Sequence, residues 1–309
     1  MNGWLNLYKT RGISSAKAVG IIKNCFKDSK IGHTGTLDLE AEGILPIAIG
    51  EATKLVSILV NSQKQYVFTI QFGAQTTTGD SAGEIIKKTK TIPLEYDCKQ
   101  ICNQFIGEVE QTPPAYSAIK INGIRAYKLA RENKKIELKQ RLVKIYNLKL
   151  LKYDVQNKNA TYLVDCSKGT YIRSLSEDIS LSLHSLGFVI ELQRTRVGIF
   201  TRENATNILD LSYKDFDMVR NLIKSKCLKT EEVLEDIPVL EVDRLIARKI
   251  KYGQKCSFDG VSTYEQVWLR YNSRILAIGS LSNNYFISSR VFNYIEMEEN
   301  NVDTGRNKK

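Results

Sequence analysis

The stretch of this sequence best equipped for chemistry is residues 32–54, GHTGTLDLEAEGILPIAIGEATK. It opens as a glycine-punctuated loop bearing His33, Thr34, Thr36 and Asp38, then passes into an apolar run. Glycines let backbone approach a ligand closely, and loops held by a rigid scaffold are where binding and catalytic groups collect. A carboxylate such as Asp38 serves there as nucleophile or base; the same residue type also serves as an ordinary turn or N-cap aspartate, and the local pattern leaves both readings open. A phosphate cradle is a third use of such loops, but the GxxxxGK[ST] spacing is absent. The two histidines, His33 and His184, lie far apart, and the six cysteines (25, 98, 102, 166, 227 and 256) form no paired CxxC knuckles. No metal site is expected from that spacing.

The elements that must position this loop can be read from periodicity. Trp4 to Tyr8 reads as a short strand, and Ser14 and Ser15 as the N-cap of a helix running to about Phe26. Residues 66–72 alternate, with Tyr66, Phe68, Ile70 and Phe72 on one face and Val67, Thr69 and Gln71 on the other, as a half-buried strand does. Helical spacing joins Cys98, Ile101, Cys102 and Phe105, with Gly107 as a stop. Strands follow at about 143–153 and 160–166, and then Ile172, Leu175, Ile179, Leu183 and Leu186 predict a long amphipathic helix ending at Gly187. Strands adjacent in sequence, mixed with helices, predict an α/β (α+β) domain with a mixed, largely antiparallel sheet. After a break near Asp236–Pro238, strand-like runs at Val267–Leu269, Ile275–Gly279 and Tyr285–Ser288 predict a small β-rich domain over 238–295. That leaves 1–235 as the first domain and 296–309 as a polar, disordered tail.

A chain of 309 residues that is 42% hydrophobic and 26% charged has the composition of a folded soluble protein. No apolar run approaches a membrane span, and the N-terminus lacks the basic and apolar regions of an export signal, so a cytoplasmic location is expected. Lys and Arg number 45 against 34 Asp and Glu, a net charge of +11 that points to polyanionic partners or to a lysine-rich solvated surface. Much of the excess lies in residues 113–144, where nine basic residues face only Glu132 and Glu137. Tyr116 and Tyr127 are interleaved with them. Cations neutralise phosphates and aromatic faces stack on bases, so this segment reads as an RNA-gripping element; a solvated helix-loop face is the plainer alternative.

The stretch 32–54 resembles the motif around the catalytic aspartate of the bacterial TruB family, the tRNA pseudouridine-55 synthases. Other segments resemble that family in the same order along the chain. Residues 9–15 (KTRGISS) are similar to its K-P-x-G-x-S-S, Lys64–Tyr66 to its K-x-Y, and residues 78–83 (TGDSAG) to its T-x-D-x-x-G. Pro114–Lys120, with Gly123, Tyr127, Ala130 and Arg131, resembles the next block, and residues 167–173 (SKGTYIR) complete the set. The C-terminal segment is similar to the family's small PUA-like RNA-binding domain.

The resemblance implies a pseudouridine synthase fold with a central cleft and an enzyme that isomerises the T-loop uridine of tRNA. By it Asp38 is the catalytic nucleophile or base, Arg173 its paired cation and Asp80 the second carboxylate on that arginine. Tyr66 packs on the target base and Tyr171 lines the same pocket, while Lys9 braces the active-site loop. His33 contacts the splayed T-loop, where a structural histidine is the alternative. The basic segment becomes a clamp on the T-arm stem-loop, with Lys120, Arg125, Lys128, Arg131, Lys134 and Lys135 as its RNA-binding cations. No cofactor, metal, membrane or obligate protein partner is implied. A guide-RNA-dependent synthase and a non-catalytic tRNA-folding chaperone are the competing readings. The sequence departs from the family's L-D-P-L-A-T-G at Leu39, Glu40 and Glu42, which sets two more carboxylates beside Asp38. Thr10 and Thr77 are further departures, standing where proline and aspartate are usual.

Overall fold

A computed structural model of the chain describes residues 1–294 except 118, 122, 133–137, 213 and 214, and omits the side chains of Lys120, Arg131 and Ser212. Contacts divide the chain into one unit over residues 3–227 and a second from Leu228 onward. The division falls ahead of the Asp236–Pro238 break, because the turn of 3-10 helix at Thr230–Leu234 packs on the strand Arg274–Ser282. The predicted tail, 296–309, lies outside the described residues.

In the first unit the elements run β1 (Gly3–Lys9), α1 (Ser15–Cys25), β2 (Ile31–His33), β3 (Glu42–Ile49), β4 (Lys64–Phe72) and α2 (Glu95–Gln100), then β5 (Gly107–Gln111), β6 (Arg141–Asp154), β7 (Asn159–Cys166), α3 (Ile172–Ser182), β8 (Gly187–Val197) and β9 (Thr206–Asn207). Among the described residues they build a ten-stranded mixed sheet in the order β9-β1-β3-β8-β4-β7-β6-β5, with β2 paired to β3 and the short strand Phe200–Thr201 paired to β8. Most pairs are antiparallel, as the sequence predicts; β1 with β9 and β3 with β8 are parallel.

The alternation of β4 sets its two faces. Phe68, Ile70 and Phe72 are buried in one core with Tyr162, Ile172, Leu175 and Ile179, and Phe68 stacks on Tyr162 with centroids 5.6 Å apart. Burying each such side chain contributes about 1.5–3 kcal/mol. On the opposite face the hydroxyls of Thr69 and Thr161 lie 3.0 Å apart. Helix α1 begins where its cap predicts, with Ser14 Oγ accepting from the Lys17 amide. It packs Ala18, Ile22 and Cys25 against β1 and β3. The helical spacing at 98–105 divides into α2 and a 3-10 turn, Ile101–Phe105, and all four predicted apolar residues are buried.

One expectation needs correction. Helix α3 stops at Ser182 instead of Gly187, because His184 takes a left-handed φ of 54°. The Ser185 amide then bonds back to Ser180 O and the His184 amide to Leu181 O, the double closure that satisfies a helix C-terminus. Gly187 instead opens β8, where a Cβ would stand 2.2 Å from Ser180 Oγ. The apolar run after Asp38 forms strand β3.

The second unit holds a five-stranded sheet in the order Val239–Glu241, Tyr264–Tyr271, Arg274–Ser282, Tyr285–Val291, Cys256–Ser257. Helix Arg244–Lys251 closes its core and is capped by Asp243, whose Oδ1 accepts from the Ile246 amide at 2.8 Å. This is the small β-rich, PUA-like architecture the sequence predicts. Among the described residues no helix is long and apolar enough to cross a membrane.

Candidate active site

Asp38 sits on the eight-residue connection, 34–41, between β2 and β3. The connection is sewn to the segment after β1. Ser15 Oγ accepts from Leu37 N at 2.9 Å and donates to Leu37 O at 3.1 Å, and the Gly12 amide donates to Leu39 O at 2.9 Å. Fully buried Lys9 reaches Ala41 O from below and donates to Ile13 O at 2.8 Å. From β8, Arg194 donates through Nη2 to Gly35 O at 3.0 Å and through Nε to Ile44 O at 2.7 Å. An ammonium and a guanidinium therefore take up the carbonyls that a glycine-rich turn leaves without strand partners. Between these anchors a tight turn, Ala41 N to Asp38 O at 3.2 Å, projects the Asp38 side chain.

Opposite Asp38 stands Arg173 in the first turn of α3, only 5% exposed. Its Nε lies 3.0 Å from Asp38 Oδ2 and 3.8 Å from Asp80 Oδ2. The two remaining nitrogens donate to Thr78 O and Tyr116 O, both at 2.9 Å. All corners of the guanidinium are thus engaged, which fixes its plane. Asp80 is held in turn by the Thr78 hydroxyl and, at 3.1 Å, by the Ala82 amide. The start of α3 is itself clamped by Gln111, which accepts from Tyr171 N at 2.7 Å and donates to Tyr171 O at 3.0 Å.

A cavity of about 300 Å³ opens beside this pair, with Asp38, Tyr66, Tyr171, Arg173, Arg194 and Lys64 in its wall. That is the size class of small-ligand pockets. Tyr66 stands directly across from Arg194 in the β4–β8 pairing. Burial pushes its phenol up, and the nearby guanidinium pulls the other way. Burial also pushes the Tyr171 phenol up. Lys64 donates to Leu59 O, Val60 O and Ser62 O at 2.6–2.8 Å, closing the end of helix Val56–Asn61. Burial pushes its ammonium, like that of Lys9, down to about 8. His33, at the end of β2, accepts the Gly35 amide on Nδ1 at 3.2 Å, and burial followed by Arg194 repulsion lowers its pKa. Among the described residues no group of three His, Cys, Asp or Glu side chains is placed to hold a metal ion.

Residues 23–172 match the TruB family pseudouridylate synthase (N terminal domain). The tRNA pseudouridine synthase B of Rickettsia bellii (strain OSU 85-389) is 56% identical over 290 residues, spanning 94% of this chain and 98% of that protein. This chain belongs to the TruB family. The tRNA pseudouridine synthase B of Rickettsia akari (strain Hartford) is 53% identical over 295 residues, with 95% and 99% covered. Among solved structures, a chain in the crystal structure of a Cbf5-Nop10-Gar1 complex is similar over 94% of this chain and 84% of its own, with a TM-score of 0.69 and 25% identity.

For a TruB-family chain, the departures around Asp38 are accommodated locally. Glu40 is turned to Arg11, at 2.7 Å, and Glu42 accepts from Gln193 at 3.1 Å, so each added carboxylate has its own partner. The fold brings Asp38, Arg173, Asp80, Tyr66 and Tyr171 together, with Lys9 beneath the loop and His33 at its entry. Among the described residues, it brings no cation of the basic segment into the cavity wall. Arg125 and Lys128 are exposed on a short hairpin and helix, while Lys134, Lys135 and the side chains of Lys120 and Arg131 lie outside the described residues. That segment meets the site through Tyr116 O on Arg173 and through Ser117 in the cavity wall. Sequence reasoning missed Arg194. The signal was faint: two register shifts in β8 break the period-two pattern that would have set Arg194 on an inward face, where a charged residue needs polar partners.

Proposed function

We propose that this chain converts the T-loop uridine of tRNA, position 55, to pseudouridine, without guide RNA or an obligate protein partner, in the cytoplasm. One observation carries the reading: the Asp38 carboxylate, 3.0 Å from Arg173 Nε, stands at the wall of a cavity lined by two tyrosines. The target uridine is stacked in the folded tRNA and must be flipped out to reach such a cavity. The N1–C1′ bond then breaks, the uracil turns, and C5 bonds to C1′; C5 loses a proton and N1 gains one. Atoms and electrons balance within the nucleotide, so the isomerisation needs no external oxidant or energy donor. Asp38 either attacks C1′ or takes the C2′ proton to give a glycal, and its place beside the cavity serves both routes. Arg173 and Asp80 hold that carboxylate in register. Tyr66 packs on the base and assists removal of the C5 proton, Tyr171 closes the pocket, and His33 stacks against the opened loop. The exposed cations of the basic segment neutralise T-arm phosphates, so affinity falls steeply with salt.

The test uses purified protein and an unmodified tRNA transcript, with pseudouridine mapped at the T-loop. Wild type alone converts the uridine, while Asp38→Ala binds the transcript and converts none. Conversion by the variant would remove Asp38 from the chemistry. A wild type that binds without converting would favour the folding chaperone, and a requirement for added guide RNA would favour the guided synthase.

A further inference from the structure

Arg173 is not the sole arginine that touches both carboxylate-bearing loops. On the outer side, Arg11 Nε and Nη2 lie 2.7 Å from Glu40 Oε2, and Nη2 reaches Ser81 Oγ at 3.2 Å. Glu40 is two residues after Asp38, and Ser81 directly follows Asp80. The same two loops are therefore gripped from within through their carboxylates and from without through the neighbouring side chains. Leu39, 52% exposed, gives the Asp38 loop no packing anchor at its tip. Beside Arg173, the gap lined by Asp38, Glu40, Asp80 and Ser81 has room for scarcely one water, about 10 Å³.

We infer that Arg11 is a positioning residue that clasps Glu40 and Ser81 and so fixes the spacing of Asp38 and Asp80 across Arg173. This rests on the proposed role of Asp38. The clasp is solvent-facing, with Arg11 and Glu40 side chains 52% and 32% exposed, so it adds little to global stability and its variants fold. Its leverage is geometric, since a displacement of about 1 Å at a reacting group lowers rates by as much as about a hundredfold.

A double-mutant cycle over Arg11→Ala and Glu40→Ala tests the clasp, with single-turnover conversion, tRNA binding and amide hydrogen exchange measured on each protein. Each single variant is expected to lose roughly tenfold in single-turnover rate. Binding stays within about twofold of wild type, and the double variant is no slower than the slower single. Exchange at residues 37–41 and 80–82 rises together in both single variants. Overturning results are a single-variant rate equal to wild type, additive effects, or exchange that is unchanged at either loop. Weaker binding by Arg11→Ala alone, with its rate intact, would make Arg11 a phosphate contact instead. Failure of wild type to convert uridine would sink the proposed activity, while the exchange measurement still decides the clasp.

Discussion

Arg173 offers the sharpest quantitative test, because its environment states what its loss removes. Arg173→Ala takes away the contact to Asp38 at 3.0 Å, that to Asp80 at 3.8 Å, and the hydrogen bonds to Thr78 O and Tyr116 O. Each carbonyl left unmet costs about 1–3 kcal/mol if water cannot replace the donor. Asp80, its side chain 14% exposed, keeps the Thr78 hydroxyl and the Ala82 amide, so halving this buried pair falls at the lower end of about 3–5 kcal/mol. Asp38, 42% exposed, rehydrates and adds little. Water entering the adjoining cavity offsets part of the sum, leaving about 3–5 kcal/mol against a typical domain stability of about 5–15. Most of the protein stays folded at 25 °C. Turnover suffers more, by about 10²–10³, the usual consequence of removing a preorganised electrostatic partner. Arg173→Lys separates charge from geometry. A lysine places one ammonium near the carboxylates but cannot reach Thr78 O and Tyr116 O as well, so we expect a urea midpoint between those of wild type and Arg173→Ala, with about a hundredfold loss of single-turnover rate. A lysine variant within threefold of wild type would refute the fork-geometry account.

Three further outcomes follow from particular contacts. Gly43→Ala places a Cβ 2.2 Å from the Arg194 carbonyl oxygen at a φ of 117°, so the β3–β8 pairing must open; loss of at least about 3 kcal/mol by urea unfolding is expected, and a loss below about 1 would refute it. Lys64, depressed by burial to about 8, binds fewer protons folded than unfolded between pH 8 and 10.5. Wild type should therefore gain about 1–2 kcal/mol over Lys64→Met from pH 7.5 to 9.5, and a constant difference would refute the shift. The His33 imidazole should titrate below 6.5 by NMR, and should move upward in Arg194→Gln as the repelling charge is removed; an unmoved midpoint would leave burial as the sole cause.

Legibility tracked how far a residue's fate was decided by its neighbours in sequence. The period-two pattern of 66–72 and the Ser14 cap were readable because strand faces and helix starts are local facts. The end of α3 was misread because a glycine is the usual stop, whereas here His184 takes the left-handed turn and Gly187 is reserved for close approach to Ser180. Strand β8 escaped notice because its inward Arg194 looks like surface until its carbonyl partners, 150 and 159 residues away, are in place. The burial of Lys64, whose carbonyl partners lie at the end of helix Val56–Asn61, was equally unmarked in the local pattern. Asp38 had no distinguishing local pattern; its companions from distant segments singled it out, and the fold sets Arg173 against it.

Those long spans also order events during synthesis. The loop bearing Asp38 leaves the ribosome early, but Arg194, which ties Gly35 and Ile44, emerges more than 150 residues later. At roughly 5–20 residues per second, the nascent loop waits on the order of ten to thirty seconds for its anchor. For most of that interval the carboxylate lacks its cation, Arg173, and to its end the loop lacks Arg194. A nascent chain released before β8 would carry every residue of the N-terminal motif and still lack an assembled site. Competence is conferred on this chain late, by its central strand.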